Sequence, residues 1–482
     1  MKHKPLRSVR SATPEHGATA RRVISVLVAT GLVFSACSST RANRRDSRGD
    51  NKTAEAVLSE TCWTTTVDNA WSSSPNATDL TGDGVLDVVV GTNGSPAFVV
   101  AVDGANGDVL WKSEVGSDVY TSAAFLDSNG DSTPDVVMGG RSNDLFAFDG
   151  RTGSLLWSTR RTNPGLPPLW FGSATPVADV NGDGVADLLA PQSGEDAGKL
   201  RAGILHLISG VDGSVLRSDT TPDNREIYSP PALAAGVDLS GQDVYVGTGG
   251  ESIPGAVTAM RYGSGATAAP RVVWTVPTDG VVAPPIVATI GGRKIVLAST
   301  WGGETIAIDA EHGEVIWRNH QPGHVALAPP VAPVPETGWV IVSSSRGTTF
   351  PPVGEDTVVR WIDTQSGTTI REKNIGGLSI ADPILFDFDD DGEQDLLVTP
   401  VANAFEGGTG ERGRLLVLDA ARGAALTSAP FEKFAASTPL IADLEGDGRA
   451  ELIHAAYPGL RCYRLDTEIG ADRVARGYRN PE

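Results

Sequence analysis

An internal repeat of about fifty residues constrains the fold of this chain more than any other feature of the sequence. A proline or small residue followed by an apolar stretch recurs at eight markers, which are Pro75, Ser122, Pro176, Pro231, Pro285, Pro330, Pro383 and Pro439. Each unit contains four short apolar segments separated by turn residues, a pattern that predicts four β-strands. Eight such units predict an all-β fold, an eight-bladed β-propeller of four-stranded antiparallel blades.

The two ends of the repeat region predict how the ring closes. The last unit supplies three strands, and residues 469–482 that follow have no strand pattern and are interpreted as a C-terminal tail. Residues 61–67, before the first unit, alternate polar and apolar residues and contain Trp63, as a fourth strand would. We therefore expect this N-terminal strand to close a propeller that spans residues 61–468.

Two cysteines provide a second test of the closure. Cys62 lies on the predicted closing strand and Cys462 on the third strand of the last blade. Alignment with the first hairpin places Cys62 opposite Arg464, two residues from Cys462 and on the same face. A small register change would allow a Cys62–Cys462 disulfide, which we predict. Two unpaired buried thiols are the alternative.

The N-terminus predicts export. A basic stretch and the apolar run VISVLVATGLVF precede Cys37, and the string FSAC resembles a bacterial lipobox with Phe34 in place of the usual leucine. The resemblance implies a lipoprotein-type signal peptide over residues 1–36, lipidation of Cys37, and a flexible tether over residues 37–60. An ordinary secretory signal is the alternative. Either way we expect a bacterial cell-envelope protein, at the outer membrane or the cell surface.

The charge balance excludes nucleic acid as a partner. The formal net charge is −20 although residues 1–50 carry ten Lys or Arg against three acidic residues, so the rest of the chain carries −27. A body this acidic repels nucleic acid and is compatible with cation binding. We expect a monomer.

Five units contain an acidic loop between their first and second strands, over residues 79–87, 127–135, 179–187, 387–395 and 443–451. Oxygen-bearing side chains recur at positions 1, 3, 5 and 9, position 7 offers its backbone carbonyl, and position 6 is glycine in four of the five loops. Hard oxygen donors at this spacing suit Ca²⁺. The alternative is that Asp, Asn and Gly simply favour turns.

The predicted ligands are Asp79, Thr81, Asp83, Val85 and Asp87; Asp127, Asn129, Asp131, Thr133 and Asp135; Asp179, Asn181, Asp183, Val185 and Asp187; Asp387, Asp389, Asp391, Glu393 and Asp395; and Asp443, Glu445, Asp447, Arg449 and Glu451. The second loop has Ser132 instead of glycine at position 6, which makes its site doubtful. These loops resemble the FG-GAP (VCBS) repeats of integrin α-type propellers, and the resemblance also implies structural Ca²⁺.

A second motif joins the third and fourth strands, as in AVDGANGDVLW (residues 101–111), AFDGRTGSLLW (residues 147–157) and AIDAEHGEVIW (residues 307–317). It resembles the tryptophan-docking repeats of the PQQ-like quinoprotein superfamily. That family includes quinone dehydrogenases and non-enzymatic propellers such as the outer-membrane assembly lipoprotein. The dehydrogenases have a vicinal cysteine pair at the cofactor that this chain lacks, so no PQQ is expected.

Long insertions predict a binding face. They follow the second strands of several blades, over residues 192–203, 249–256, 345–357 and 402–413, and lie on the face opposite the acidic loops. The candidate anchors for a partner there are Trp170, Phe171, Tyr228, Phe350 and Phe405. The sequence thus predicts a scaffold or adhesion module, not an enzyme, that binds an envelope protein or a surface glycan. The alternatives are aromatic rings that only pin the loops, and an exported PQQ-dependent or carbohydrate-active enzyme that uses this face.

Overall fold

The computed structural model describes residues 58, 60–140, 144–166, 169–193, 202–233, 238–250, 253–331, 338–347, 356–402, 411–432, 434–469 and 474–476. These residues form 33 β-strands and one short helix, α1 (Thr159–Thr162). The strands make eight antiparallel sheets, one for each sequence repeat. The predicted eight-bladed β-propeller is confirmed.

Blade one consists of β2 (Asn76–Thr78), β3 (Asp87–Gly91), β4 (Ala97–Val102) and β5 (Val109–Val115). Blade two consists of β6 (Ala124–Leu126), β7 (Asp135–Met138), β8 (Phe146–Phe148) and β9 (Leu155–Ser158). Blade three consists of β10 (Thr175–Val177), β11 (Asp187–Gln192), β12 (Ile204–Ile208) and β13 (Val215–Thr220). Blade four consists of β14 (Ala232–Leu233), β15 (Asp243–Gly247), β16 (Gly255–Arg261) and β17 (Arg271–Thr278). Blade five consists of β18 (Ile286–Ile290), β19 (Arg293–Ser299), β20 (Glu304–Asp309) and β21 (Val315–His320).

Blade six consists of β22 (His324–Val325), β23 (Trp339–Arg346), β24 (Thr357–Asp363) and β25 (Thr369–Asn374). Blade seven consists of β26 (Ile384–Phe386), β27 (Asp395–Val398), β28 (Glu411–Asp419) and β29 (Ala425–Glu432). Blade eight consists of β30 (Leu440–Ala442), β31 (Arg449–Ala456), β32 (Gly459–Glu468) and, from the N-terminal end, β1 (Thr61–Thr66). The ring therefore closes as predicted, because β1 pairs antiparallel with β32. The tail adds β33 (Val474–Arg476) against β30, a strand that its sequence did not predict.

The core lies between blades. Along β3, Val88 and Val90 pack in the cluster shared with blade eight, whereas Val89 packs in the cluster shared with blade two. Successive side chains of a strand point to opposite faces, and both faces of each blade are covered. This explains why the second strands are almost wholly apolar, and it makes each blade depend on its neighbours.

Tryptophans lock neighbouring blades together. Trp111 of blade one donates from Nε1 to the carbonyl of Gly150 in blade two at 2.7 Å, and its ring covers Gly153, where a Cβ atom would lie 2.7 Å from ring carbons. Gly153 has φ +68°, so the turn needs glycine for both its conformation and its space. Trp63 of the closing strand makes the same contacts with Gly104 and Gly107 of blade one. β1 thus behaves as a true fourth strand.

No helix among the described residues has the length and apolar character needed to cross a membrane.

Candidate functional site

The five acidic loops lie on one face of the propeller. They join the first and second strands of blades one, two, three, seven and eight. Because blade eight packs against blade one, these five blades are consecutive around the ring, and we call them the acidic arc. The face that carries these loops and the turns between third and fourth strands is called the acidic face. The opposite face, with the connections between blades, is called the connecting face.

Each loop is a tight turn held by its first carboxylate. In blade one, Asp79 accepts hydrogen bonds from the backbone N–H groups of Gly82 and Gly84 at 2.6 and 2.9 Å. In blade two, the residue at position 6 is Ser132, which adopts φ +70° and donates its N–H to Asp127 at 2.9 Å. The serine therefore takes the left-handed conformation that glycine has in the other loops, so the loop keeps its shape.

The ninth carboxylate ties each loop to its second strand. Its oxygen accepts the N–H of the second loop residue at 2.8 to 3.0 Å in the pairs Asp87–Leu80, Asp135–Ser128, Asp187–Val180, Asp395–Phe388 and Glu451–Leu444. Burial raises the pKa of Asp87 and Asp135 to about 6. The carboxylates at positions 1 and 9 thus stabilise the loop whether or not a cation binds. The sequence predicted them only as cation ligands.

Blade seven brings three carboxylates together. Oxygens of Asp387, Asp389 and Asp395 all lie within 4.8 Å of one another. Among the described residues, this is the one group of three or more acidic, histidine or cysteine side chains whose ligand atoms lie so close together. Burial, and then the charges of Asp389, Asp391 and Asp387, raise the pKa of Asp395 to about 7. Oδ1 of Asp389 is buried without a hydrogen-bond partner among the described residues. This donor set fits a hard divalent cation such as Ca²⁺.

Blade eight departs from this arrangement. Its third loop residue, Glu445, accepts a hydrogen bond from Nη2 of Arg464 at 2.5 Å, and Nη1 of Arg464 also pairs with Glu60 at 2.7 Å. Glu451 is only 1% exposed, and its Oε1 has no hydrogen-bond partner in the described structure. Burial, and then the neighbouring acids, raise the pKa of Glu451 to about 7. This loop concentrates negative charge but uses one predicted ligand in an ion pair.

Blades four and five lack the acidic loop, and arginine side chains pair with their carboxylates on the acidic face. In blade five, Arg293, the first residue of β19, donates from Nη2 to Asp309 at 2.7 Å. In blade four, Arg261 makes two hydrogen bonds of 2.6 Å to Asp243. Burial works against ionisation of Asp309, but hydrogen bonds from Arg293 and His312 outweigh it and lower its pKa to about 2. These carboxylates on the acidic face are neutralised from within the protein.

Three of the five candidate anchors on the connecting face are buried. Trp170, Phe171 and Tyr228 have 0%, 3% and 5% exposure. Trp170 packs between blades two and three, 5.4 Å from the ring of His206. Their role in partner binding stays a prediction. Phe350 and Phe405, and most of the long insertions, lie outside the described residues.

The burial of Phe171 and Tyr228 has a simple cause. Each precedes the first strand of its blade, and first strands contact each other between blades two and three and between blades four and five. Equivalent residues of several blades therefore meet in one apolar cluster on this face. Four half-buried residues pack against it and remain accessible: Trp71, Tyr120, Leu169 and Phe434, which we call the axial patch. The sequence signal was available, because all four shortly precede a repeat marker.

The cysteines meet at the closing strand. Thr61 pairs with Tyr463 and Thr64 with Arg461, so a bulge places two residues of β1, Cys62 and Trp63, opposite Cys462. The register predicted from the first hairpin, with Cys62 opposite Arg464, is therefore wrong, and the bulge supplies the shift that the disulfide needs. Both residues are free thiols in the structure. Burial, and then a hydrogen bond with Cys62, raise the pKa of Cys462. The disulfide stays a prediction.

Comparisons with known proteins agree with the propeller. The family model of the FAM234A/B beta-propeller matches residues 89–229, and that of the outer membrane protein assembly factor BamB matches residues 265–430. These matches support PQQ-like repeats. The resemblance to FG-GAP repeats stays a prediction, since neither model is of that type.

Individual relatives cover different shares of the chain. FAM234A of Mus musculus is 38% identical over 129 residues, which are 25% of this chain and 22% of that protein. The chain therefore spans only about a fifth of that relative. BamB of Burkholderia pseudomallei is 27% identical over 319 residues, 60% of this chain and 76% of that protein. A quinohemoprotein alcohol dehydrogenase of Comamonas testosteroni has a similar structure, with a TM-score of 0.58, 14% identity, and coverage of 88% of this chain and 79% of that one. That likeness shows the fold alone.

Proposed function

We propose that this protein is an exported, lipid-anchored scaffold of the bacterial cell envelope that binds another protein through its connecting face. The axial patch carries this proposal. Trp71, Tyr120, Leu169 and Phe434 are partly exposed apolar residues that pack against one buried cluster, and Trp71 and Phe434 are in edge contact at 5.2 Å. Tryptophan and tyrosine on such a support are typical of interface hot spots.

The relatives are consistent with this role. BamB is named an outer membrane protein assembly factor, and its match covers most of its own length. Export and lipidation at Cys37 rest on the N-terminal sequence, and Cys37 lies outside the described residues. A surface glycan is the other ligand class that an aromatic patch of this kind suits.

We further propose that Ca²⁺ binds the acidic arc, first of all in blade seven. Asp387, Asp389 and Asp395 would hold the ion, since their oxygens already converge. When bound, the ion supplies charge neutralisation and loop rigidity, not a reaction. The raised pKa of Asp395 supports this, because a buried carboxylate with acidic neighbours is stabilised by a cation.

Covalent cross-linking in the native cells, followed by mass spectrometry, tests the scaffold. The double variant Trp71→Ala/Phe434→Ala is expected to lose cross-links to one or more envelope proteins. Ile370→Ala is the matched control, because Ile370 is an exposed apolar residue on the outer strand of blade six, at 57% exposure. Equal capture by the double variant and the control would refute binding through the axial patch.

Enzymatic use of the propeller has its own test. Addition of pyrroloquinoline quinone with Ca²⁺ to the purified protein is expected to give no bound quinone absorbance and no dye-linked alcohol oxidation. Stoichiometric quinone binding would replace the scaffold proposal with the enzyme alternative.

A further inference from the structure

A small cavity lies between blades seven and eight, away from the acidic loops. It has a volume of about 110 Å³ and is lined by Phe431 of β29, by His454 of β31, and by Arg461 and Tyr463 of β32. His454 pairs with Arg461, and Arg461 pairs with Thr64 of the closing strand, so the three form one row across blade eight. Tyr463 belongs to the apolar cluster shared with blade seven, so this row faces blade seven.

His454 presents an unsatisfied polar atom to this cavity. Its side chain is 2% exposed, its ring lies 4.5 Å from the ring of Phe431, and Nε2 has no hydrogen-bond partner among the described residues. Burial, and then the charge of Arg461, lower the pKa of His454 to about 3, so the imidazole is neutral. A buried polar atom without a partner costs about 1–3 kcal/mol, which a ligand can recover.

Arg461 and Tyr463 supply hydrogen-bond donors to the same cavity, and the exposed Glu432 adds a carboxylate to its lining. Nη1 of Arg461 donates to the Tyr463 hydroxyl at 3.4 Å, and the guanidinium lies 6.0 Å from the centre of that ring. Within the described part of the chain, Arg461 has no carboxylate at ion-pair distance. A guanidinium has five N–H donors, and a single contact to a hydroxyl leaves most of them for another acceptor.

We propose that this cavity binds a small carboxylate group. The guanidinium of Arg461 recognises a carboxylate by paired, charge-assisted hydrogen bonds. The Tyr463 hydroxyl donates to the same group, as does Nε2 of His454 in the tautomer that carries its proton on that nitrogen. Phe431 and Pro430 provide apolar walls for a methyl or methylene. A cavity of roughly 150 Å³ holds benzene, so this smaller one suits an acetate-sized group. The source is a free short-chain acid or an aspartate side chain of a bound protein.

Titration of the full mature protein with sodium acetate, followed by calorimetry and by ¹³C NMR of labelled acetate, tests this site. Acetamide is the neutral probe of the same shape. We expect saturable binding of acetate and none of acetamide. Arg461→Gln is expected to weaken acetate binding about tenfold or more, the effect of losing charged hydrogen bonds. Tyr463→Phe removes only a hydroxyl and is expected to weaken acetate binding several-fold. This variant tests the site if Arg461→Gln disturbs folding.

Arg371→Gln is the matched control, because Arg371 lies over the ring of Trp361 at 5.5 Å in blade six and does not line the cavity. It is expected to bind acetate as the unmodified protein does. A blocked aspartate, N-acetyl-aspartate methylamide, distinguishes the sources: tighter binding than acetate indicates a protein side chain, and weaker binding a free acid. Absence of saturable acetate binding, equal binding of acetamide, or unchanged binding by both cavity variants would overturn the proposal.

Discussion

The acidic arc and blades four and five differ in how the carboxylates on the acidic face are neutralised. In blade five, Asp309 on the acidic face is neutralised by Arg293 of the same blade. In blade seven, three carboxylates converge within 4.8 Å. Burial, followed by the charges of Asp391 and of the third-strand residue Asp419, raises the pKa of Asp389. Blade five thus pairs its carboxylate with an arginine of its own, whereas blade seven brings three carboxylates together.

This difference suggests that the acidic arc depends on its surroundings for stability and blades four and five do not. An ion pair within the fold is present at any calcium concentration. A carboxylate cluster is stable only when a cation or a proton reduces its repulsion. The predictions below test this contrast, from the largest expected effect to the smallest.

The largest effect is expected at the ring closure, within the acidic arc. In the oxidised protein, Cys462→Ser removes the predicted bridge to Cys62 and is expected to reduce the free energy of unfolding by about 3–5 kcal/mol, the chain-entropy value for a very long loop. Chemical denaturation with and without reductant measures it. Under reductant the variant and the parent should differ little, and two free thiols in the oxidised, exported protein would contradict the bridge.

Calcium is expected to have the next largest effect. Removal by chelator should lower the melting temperature, since Ca²⁺ at a hundred times its Kd stabilises by about 2.7 kcal/mol per site. Asp395→Asn should remove much of this response, because it removes a carboxylate from the cluster of blade seven. Asp309→Asn in blade five is the control and should leave the calcium response unchanged. An equal loss of response in both variants would end the distinction between the two regions.

The pH dependence of the calcium-free protein follows from the buried carboxylates. The pKa values of Asp395 and Glu451 are raised from 3.8 and 4.5 to about 7, so the folded state binds protons more tightly than the unfolded state. Stability should therefore increase as the pH falls from 8 to about 6.5. Below that, His206 and His454 oppose the trend, because burial lowers their pKa from 6.5 to about 4 and about 3. Thermal melts in chelator measure this, and saturating Ca²⁺ should flatten the upper range.

Local periodic features were predictable from the sequence. The repeat markers, the turn glycines and the docking tryptophans each depend on residues within one unit and its neighbour, so the eight blades and the role of Trp63 could be read directly. The acidic loops were equally visible. Their hydrogen bonds were not, since only the structure shows that Asp79 and Asp87 hold backbone N–H groups.

Features that depend on the whole ring were not predictable in the same way. Phe171 and Tyr228 lie in polar connecting segments, and only closure of the ring brings them into the axial cluster that buries them. The bulge at Cys62 lies between strands about 400 residues apart, so no local pattern fixed its register. The cavity at His454 likewise forms only where blade seven packs against blade eight.

The smallest effect is expected in blade five. Arg293→Gln breaks the contact with Asp309, but the Arg293 side chain is 58% exposed, so the loss should be about 0.2–1 kcal/mol, the range of exposed ion pairs. The informative quantity is the calcium dependence of the melting temperature of Arg293→Gln. If a cation can take the place of the guanidinium, Ca²⁺ should restore part of the melting temperature that this variant loses. Arg318→Gln, which breaks the exposed pair with Glu304, is the control and should not respond to Ca²⁺. Calcium rescue would show that an arginine and a bound cation perform the same task in this propeller. Equal behaviour of the two variants would limit cation dependence to the acidic arc.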